Sequence, residues 1–358
     1  MPRKRLTVSA PGRICLFGEH QDFLGLNVIA AAIDLRIRIE GVPSKDPVFR
    51  MDMPDIGKTD LIDPTREITY TGPRDYLRST LNVIKRRGRP FSSGYHCRMT
   101  STIPINAGVS SSSAMVIAWA RFLMEVSGDP ERANPRVVAK LGHQAEVLEF
   151  NEPGGMMDHY TSAIGGTLFI DCRPPFTPQE MPVCLEGFVL SNSLEKKETT
   201  EVLRSSKQDV LEGIRILTES FPGFDLHTTP REEVEDLLLK MPEQISRKVR
   251  ANLINRDLCK EAYALLLGDF NPQELGRLLD AHHKQLRDGL GVSTPKIERM
   301  IAAAKEAGAL GCKINGSGGG GCMFAYAPGR EREVALAMDQ VGGKSYIVHF
   351  DEGVRTER

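Results

Sequence analysis

The sequence predicts an α+β protein of two domains, and three observations carry that reading. Early segments alternate apolar and charged residues with the period of a strand: Leu35, Ile37 and Ile39 stand between Asp34, Arg36, Arg38 and Glu40. Later segments, beyond residue 182, are dominated by helical spacing. The length of 358 residues, at about 150 residues per domain, gives roughly two domains. The stretch 172–182 (CRPPFTPQEMP) carries four prolines and is where the boundary is expected, giving an N-terminal domain over 1–180 and a C-terminal domain over 181–358.

The elements follow in order. Strands are expected over 6–9 and 28–40, separated by the turn Gly18-Glu19-His20-Gln21-Asp22-Phe23-Leu24-Gly25. Residues 41–72 are polar and read as surface hairpins and loops. A helix over 76–85 and a strand over 94–102 precede a serine-rich turn. From Ser112 the pattern is helical, with serines suited to N-capping and Trp119 on the apolar face, where it reads as core. Another helix spans 135–150, Gly154-Gly155 breaks the chain, a short helix starts at Met157, and 167–171 is a strand. Helices are then expected over 196–218, 230–250, 253–267, 272–287 and 295–307. Strands over 322–327 and 344–350 bracket a last helix near 330–340.

Composition narrows the function. Lys and Arg number 46 against 47 Asp and Glu, a net charge of −1, which gives no electrostatic reason to bind nucleic acid or an acidic membrane. Hydrophobic residues at 41% and charged residues at 26% fit a packed globular chain. The seven cysteines show no CxxC spacing, which points away from a disulfide framework or zinc ribbon. No apolar run approaches the roughly 18 residues of a membrane span, and the basic N-terminus lacks the apolar segment of a signal peptide. A cytoplasmic protein is expected, a monomer or weak homodimer.

Three segments carry chemistry. In Pro104-Ile105-Asn106-Ala107-Gly108-Val109-Ser110-Ser111-Ser112-Ser113-Ala114, Gly108 permits close backbone approach and serines open a helix, whose unpaired N–H groups suit phosphate. No Gly-Lys-Ser/Thr follows, so this is not a Walker A loop; the bland reading is a serine cap with nothing bound. In Lys313-Ile314-Asn315-Gly316-Ser317-Gly318-Gly319-Gly320-Gly321-Cys322, glycine freedom allows the backbone to wrap a polyanion, or equally to form a flexible hairpin. Two such turns suggest a nucleoside triphosphate. Third, Asp158 follows Gly154-Gly155-Met156-Met157 in an apolar setting where burial or a cation such as Arg13 would tune it. Glu146 could join the serines around magnesium, a hard ion that takes oxygen ligands, or be a solvated helix residue. His282-His283 and the Glu146/Glu149 pair do not make a transition-metal site, since adjacent histidines on a helix point apart.

Together these segments resemble the GHMP kinase superfamily. Ala10-Pro11-Gly12-Arg13 is similar to its first motif, Pro104–Ala114 to the second and Lys313–Cys322 to the third. Within it the likeness is to galactokinases: Gly12-Arg13 with Gly18-Glu19-His20-x-Asp22 resembles GRxNxxGEHxDY, and Ala145-Glu146 through Gly155-Met156-Met157-Asp158 resembles AExxxxxxxxGIMDQ. The chain departs from that pattern at Phe23-Leu24, where galactokinases have Tyr-Asn. Its third motif reads GSGGGG, closer to mevalonate and heptose kinases.

The resemblance implies an N-terminal domain like ribosomal protein S5, a ferredoxin-like C-terminal domain, and a cleft between them for ATP and acceptor. It implies that Gly108 and Ser110 to Ser113 hold the triphosphate, that Ser112, or its neighbour Ser111, and Glu146 bind Mg²⁺, and that the Gly316–Gly320 loop closes the cleft. Glu19, His20, Asp22 and Gly155 are expected at the acceptor, whose hydroxyls the carboxylates would read. Asp158 is expected to orient or deprotonate the reacting hydroxyl, with Arg13 alongside. The activity implied is phosphorylation of galactose or a related sugar at its anomeric hydroxyl. A kinase for a heptose or derivatised hexose, a diphosphate decarboxylase and a non-catalytic sugar and ATP sensor are the alternatives. Tyr76 is a candidate for the adenine pocket, or a core residue.

Overall fold

The computed structural model describes residues 5–88, 90–91, 93–152, 154–195 and 200–357, the helix over 200–206 by its backbone alone. The first sheet contains β1 (Leu6–Phe17), β2 (Val28–Pro43), β3 (Phe49–Met53), β4 (Lys58–Ile62), β5 (Tyr95–Ser101), β6 (Thr167–Asp171) and β7 (Thr177–Met181). It is antiparallel except for the parallel β3–β5 pair. Helices α1 (Tyr76–Lys85), α2 (Ser111–Ser127), α3 (Pro135–Glu146) and α4 (Met157–Ile164) belong to this half. Trp119 of α2 is fully buried, donates to Leu77 O at 3.1 Å and stacks on Phe122, as its apolar face predicts.

The second sheet is antiparallel in the order β11-β8-β10-β9, from β8 (Phe188–Asn192), β9 (Gly311–Ile314), β10 (Cys322–Tyr326) and β11 (Lys344–Val348). Helices α5 (Thr200–Ser220), α6 (Glu235–Lys240), α7 (Glu243–Leu267), α8 (Pro272–Lys284) and α9 (Pro295–Glu306) lie between β8 and β9, and α10 (Glu331–Gln340) between β10 and β11. Numbered within the sheet, the strands run 4-1-3-2, the ferredoxin-like arrangement. Period-2 alternation lets β8 and β10 serve two cores. Phe188, Leu190 and Phe324 face the core shared with the first sheet, while Val189, Met323 and Ala325 face α9 and α10.

Four differences from the sequence reading have local causes. Strand β1 runs past residue 9 to Phe17 because a register shift at Pro11/Gly12 absorbs the Pro-Gly pair. Inside the proline-rich 172–182 stretch, β7 pairs with β6 as a hairpin. Helix α7 runs unbroken through 250–253; the break lies at Met241-Pro242, because proline lacks the N–H a continuing helix needs. Finally, the chain's end leaves the second sheet. Phe350 and Glu352 bridge to Ile33 and Gly165, and β12 (Arg355–Glu357) pairs with β1. Arg36 fastens this return by donating to Asp351 Oδ2 at 2.6 Å and Gly353 O at 2.8 Å.

Candidate active site

The phosphate-loop segment folds as a tight curl into α2. Asn106, Gly108 and Ser110 have φ of 55°, 86° and 57°, and alternating left-handed residues of this kind curve the backbone into an anion-sized concavity. Ser110 occupies the N-cap position, but its hydroxyl makes no capping bond, contrary to the serine capping expected. The left-handed backbone, rather than a side chain, starts the helix.

Strand β1 delivers Arg13 beneath this loop. Its Nε donates to Asp158 Oδ1 at 2.7 Å and its Nη1 to Gly108 O at 2.7 Å. Asp158 stands in the first turn of α4 and is half-buried. Burial pushes its pKa up, but the Arg13 charge and hydrogen bond outweigh that and hold it below the usual carboxylate range. The pair that could only be guessed from sequence therefore exists, and it yields an ionised, oriented carboxylate.

At the end of α3, Glu146 is buried and pairs with His159 Nε2 at 2.8 Å. Burial raises its pKa, and His159 with the Ser112 and Ser113 hydroxyls brings it below normal. Glu146 is thus no solvated helix residue. A carboxylate beside two serine hydroxyls at a phosphate-sized concavity is a donor set of hard oxygens, which fits Mg²⁺.

The Gly18–Gly25 turn carries Glu19, His20 and Asp22, and sets Asp22 beside Gly155 and Asp158. Gly155 has no side chain because a Cβ there would lie 2.3 Å from Asp22 Oδ2. Burial and the neighbouring Asp158 charge push the Asp22 pKa up to about 6. A folded-state pKa above the unfolded value means stability that is present at low pH and is lost as pH rises toward 6 and beyond. Asp22→Asn should therefore stabilise the protein at pH 7.5 by about 1–2 kcal/mol, with no gain at pH 4. Urea unfolding at both pH values checks this, and an equal effect at the two would contradict it.

Glu19 ties this turn to the third motif. It is buried, and its Oε2 accepts from Lys313 Nζ at 3.0 Å and Gly316 N at 2.9 Å. Through this contact the acid anchors the glycine loop. Asn315 completes the anchor, donating to Gly108 O at 2.8 Å while its Oδ1 accepts from Cys15 N at 2.9 Å. The loop then passes so close to the phosphate curl that a Cβ on Gly316 would fall 2.4 Å from Gly108 O. Gly318, Gly319 and Gly320 follow with φ of 78°, 66° and 107°, after Ser317. Lys313 and Asn315 had no assigned role in the sequence; a lysine inside an apolar strand was the available signal, since a fully buried ammonium needs a partner.

His282 is buried against the Phe17 ring, while His283 joins Glu298 and the Ile314 N–H, so the two do point apart. Tyr76 packs edge-on to Phe150. His20 adopts a left-handed φ of 61° between Glu19 and the Asp22 turn.

A helix entrance curled by left-handed residues, a glycine loop set against it and an arginine-held carboxylate suit a phosphotransferase for small hydroxyl-bearing acceptors. The chain belongs to the GHMP kinases. The family descriptions "GHMP kinases N terminal domain" and "GHMP kinases C terminal" match residues 75–166 and 262–344, and "Galactokinase galactose-binding signature" matches residues 2–42. The chain is 32% identical to a mevalonate kinase of Thermococcus onnurineus, over 99% of this chain and 98% of that one. It is 26% identical to a galactokinase of Glaesserella parasuis, over 91% and 86%. Among solved structures, Lactococcus lactis galactokinase complexed with galactose superposes with a TM-score of 0.84 at 19% identity, covering 99% of this chain and 95% of that one. The protein is accordingly a kinase with an alcohol acceptor, and the family's phosphoryl donor is ATP. No helix among the described residues is long and apolar enough to cross a membrane.

Proposed function

We propose that this kinase transfers the γ-phosphoryl group of ATP to the anomeric hydroxyl of galactose or a related sugar. The observation that carries the reading is Asp22, an acid of the GEHxD turn, set beside Asp158 and pinned by Gly155. Two carboxylates lining one end of the cleft suit an acceptor rich in hydroxyls. The match of residues 2–42 to a galactose-binding signature supports it.

In this reading the N–H groups at the start of α2, with Gly108 and Ser110 to Ser113, cradle the triphosphate, and the Gly316–Gly320 loop covers it. Asp158 accepts a hydrogen bond from the reacting hydroxyl and fixes its line of attack. Arg13 keeps Asp158 ionised and offsets charge that develops as the phosphoryl group moves. Ser112 and Glu146 would hold Mg²⁺, which neutralises phosphate charge when bound. Glu146→Ala should then raise the Mg²⁺ concentration for half-maximal rate about tenfold or more. An unchanged Mg²⁺ titration would take Glu146 out of the site.

A second reading, mevalonate as acceptor, is favoured by the 30–32% identity to archaeal mevalonate kinases along nearly the whole chain. ADP release from Mg-ATP with galactose, uronic acids, amino sugars, heptoses and mevalonate, followed by proton NMR of the product, separates the two. A sugar 1-phosphate supports the proposal; turnover of mevalonate alone overturns it.

A further inference from the structure

Basic side chains gather around the Asp22–Leu24 turn. A Cβ on Gly25 would lie 3.6 Å from Arg173 Cγ and 3.8 Å from His227 Nε2. Arg173 is committed to Asp171, its Nε donating to Oδ1 and Oδ2 at 3.0 and 3.1 Å. His227 adds no full charge near neutrality, because burial and Arg173 lower its pKa. Lys207 of α5 differs from both. It is half-buried, its Nζ lies 4.5 Å from the centroid of the Phe23 ring, and among the described residues it forms no ion pair.

The other charges near the turn are accounted for. Asp158 is held by Arg13 and Glu19 by Lys313. Asp22, beside Gly155, is the acid whose charge acts on Lys207 and opposes the lowering of its pKa by burial, without forming an ion pair with it. Phe23 and Leu24 also place two apolar side chains where the resembling family has a phenol and an amide. The turn thus presents an ammonium over an apolar ring. Such a surface favours a single negative charge joined to a carbon skeleton.

We infer that Lys207 is a specificity-determining residue that pairs with a carboxylate carried by the acceptor. Resting on the sugar reading above, it narrows the acceptor to an acidic sugar, with galacturonate as the probe closest to galactose. A dianionic phosphate would set more negative charge beside Asp22 than a single carboxylate does.

The test compares kcat/KM for galacturonate and galactose, using the full chain with Mg-ATP and the variants Lys207→Met and Lys207→Arg. The protein should prefer galacturonate by about tenfold or more, Lys207→Met should bring the ratio near one, and Lys207→Arg should keep most of it. Equal or better use of galactose, or a Lys207→Met effect that leaves the ratio unchanged, overturns the inference while the sugar reading stands. If mevalonate alone turns over and Lys207→Met raises its KM about tenfold, the carboxylate pairing stands and the sugar reading falls. A mevalonate KM insensitive to Lys207→Met sinks both. Where no acceptor turns over, calorimetric titration decides: Lys207-dependent binding of galacturonate or mevalonate supports the pairing, and binding of neither overturns it.

Discussion

Asp158→Asn is expected to lower kcat by about a thousandfold or more while changing the Kd for ATP less than about threefold. The substitution keeps the shape and an oxygen that can accept from Arg13, but removes the negative charge that the Arg13 guanidinium is placed to hold. The asymmetry between rate and binding is the informative part. Asp158 sits in the first turn of α4, whereas the proposed triphosphate cradle is formed by the start of α2 and the third motif. Its lowered pKa makes Asp158 a poor proton acceptor near neutrality. A loose phosphoryl-transfer transition state demands little early proton removal, so orientation and charge can supply most of the effect. The acid limb of the rate profile should accordingly not be set by an Asp158 titration near pH 6, whereas Asp22 is pushed up to about 6. Turnover of Asp158→Asn above about a tenth of normal, with its thermal stability intact, would remove Asp158 from the chemistry.

The sequence carried the architecture where punctuation was local. The α2 entrance, the Gly154-Gly155 break and the glycine-rich third motif are contiguous, so residue type and spacing revealed them. It also supplied both partners of the Arg13–Asp158 pair, because each belongs to its own short motif, although only the fold brings residues 145 apart to 2.7 Å. What it could not carry was pairing across the chain. The family resemblance of its turn puts Glu19 at the acceptor, and its pairing with Lys313 stays hidden until β9 sets the two side by side. The strand return at 350–357 was equally hidden, since three residues of β12 have no periodicity to detect. The break at Met241-Pro242 was legible in principle, and helical spacing on both sides obscured it.

The buried pair between Glu19 and Lys313 gives the largest expected change in stability. Lys313 is fully buried and Glu19 nearly so, 3% exposed. Removing one member leaves the other charge desolvated without its partner, which costs about 3–5 kcal/mol. Lys313→Met should therefore lower the unfolding free energy by about that amount, and Glu19→Gln in the same chain should recover much of the loss, because two neutral side chains strand no charge. The pH dependence gives an independent sign. In the native protein burial raises the Glu19 pKa, but Lys313, then Arg13, His20 and the Gly316 N–H bring it below normal. Its stabilisation is thus present above the unfolded carboxylate pKa and is lost as pH falls through the lower folded value. In Lys313→Met burial meets weaker opposition, the folded pKa rises, and the variant should lose stability as pH increases from 5 to 8. Urea unfolding of the single and double variants across that range measures both effects. A loss below about 1 kcal/mol for Lys313→Met at every pH would contradict the assignment. Because Glu19 Oε2 takes both the ammonium and the Gly316 N–H, the same substitution should loosen the third-motif loop against Gly108 and reduce kcat/KM even at temperatures where the variant is fully folded. The ion pair that fastens the turn to the glycine loop is in this way a condition for the geometry of the cleft as well as for the stability of the fold.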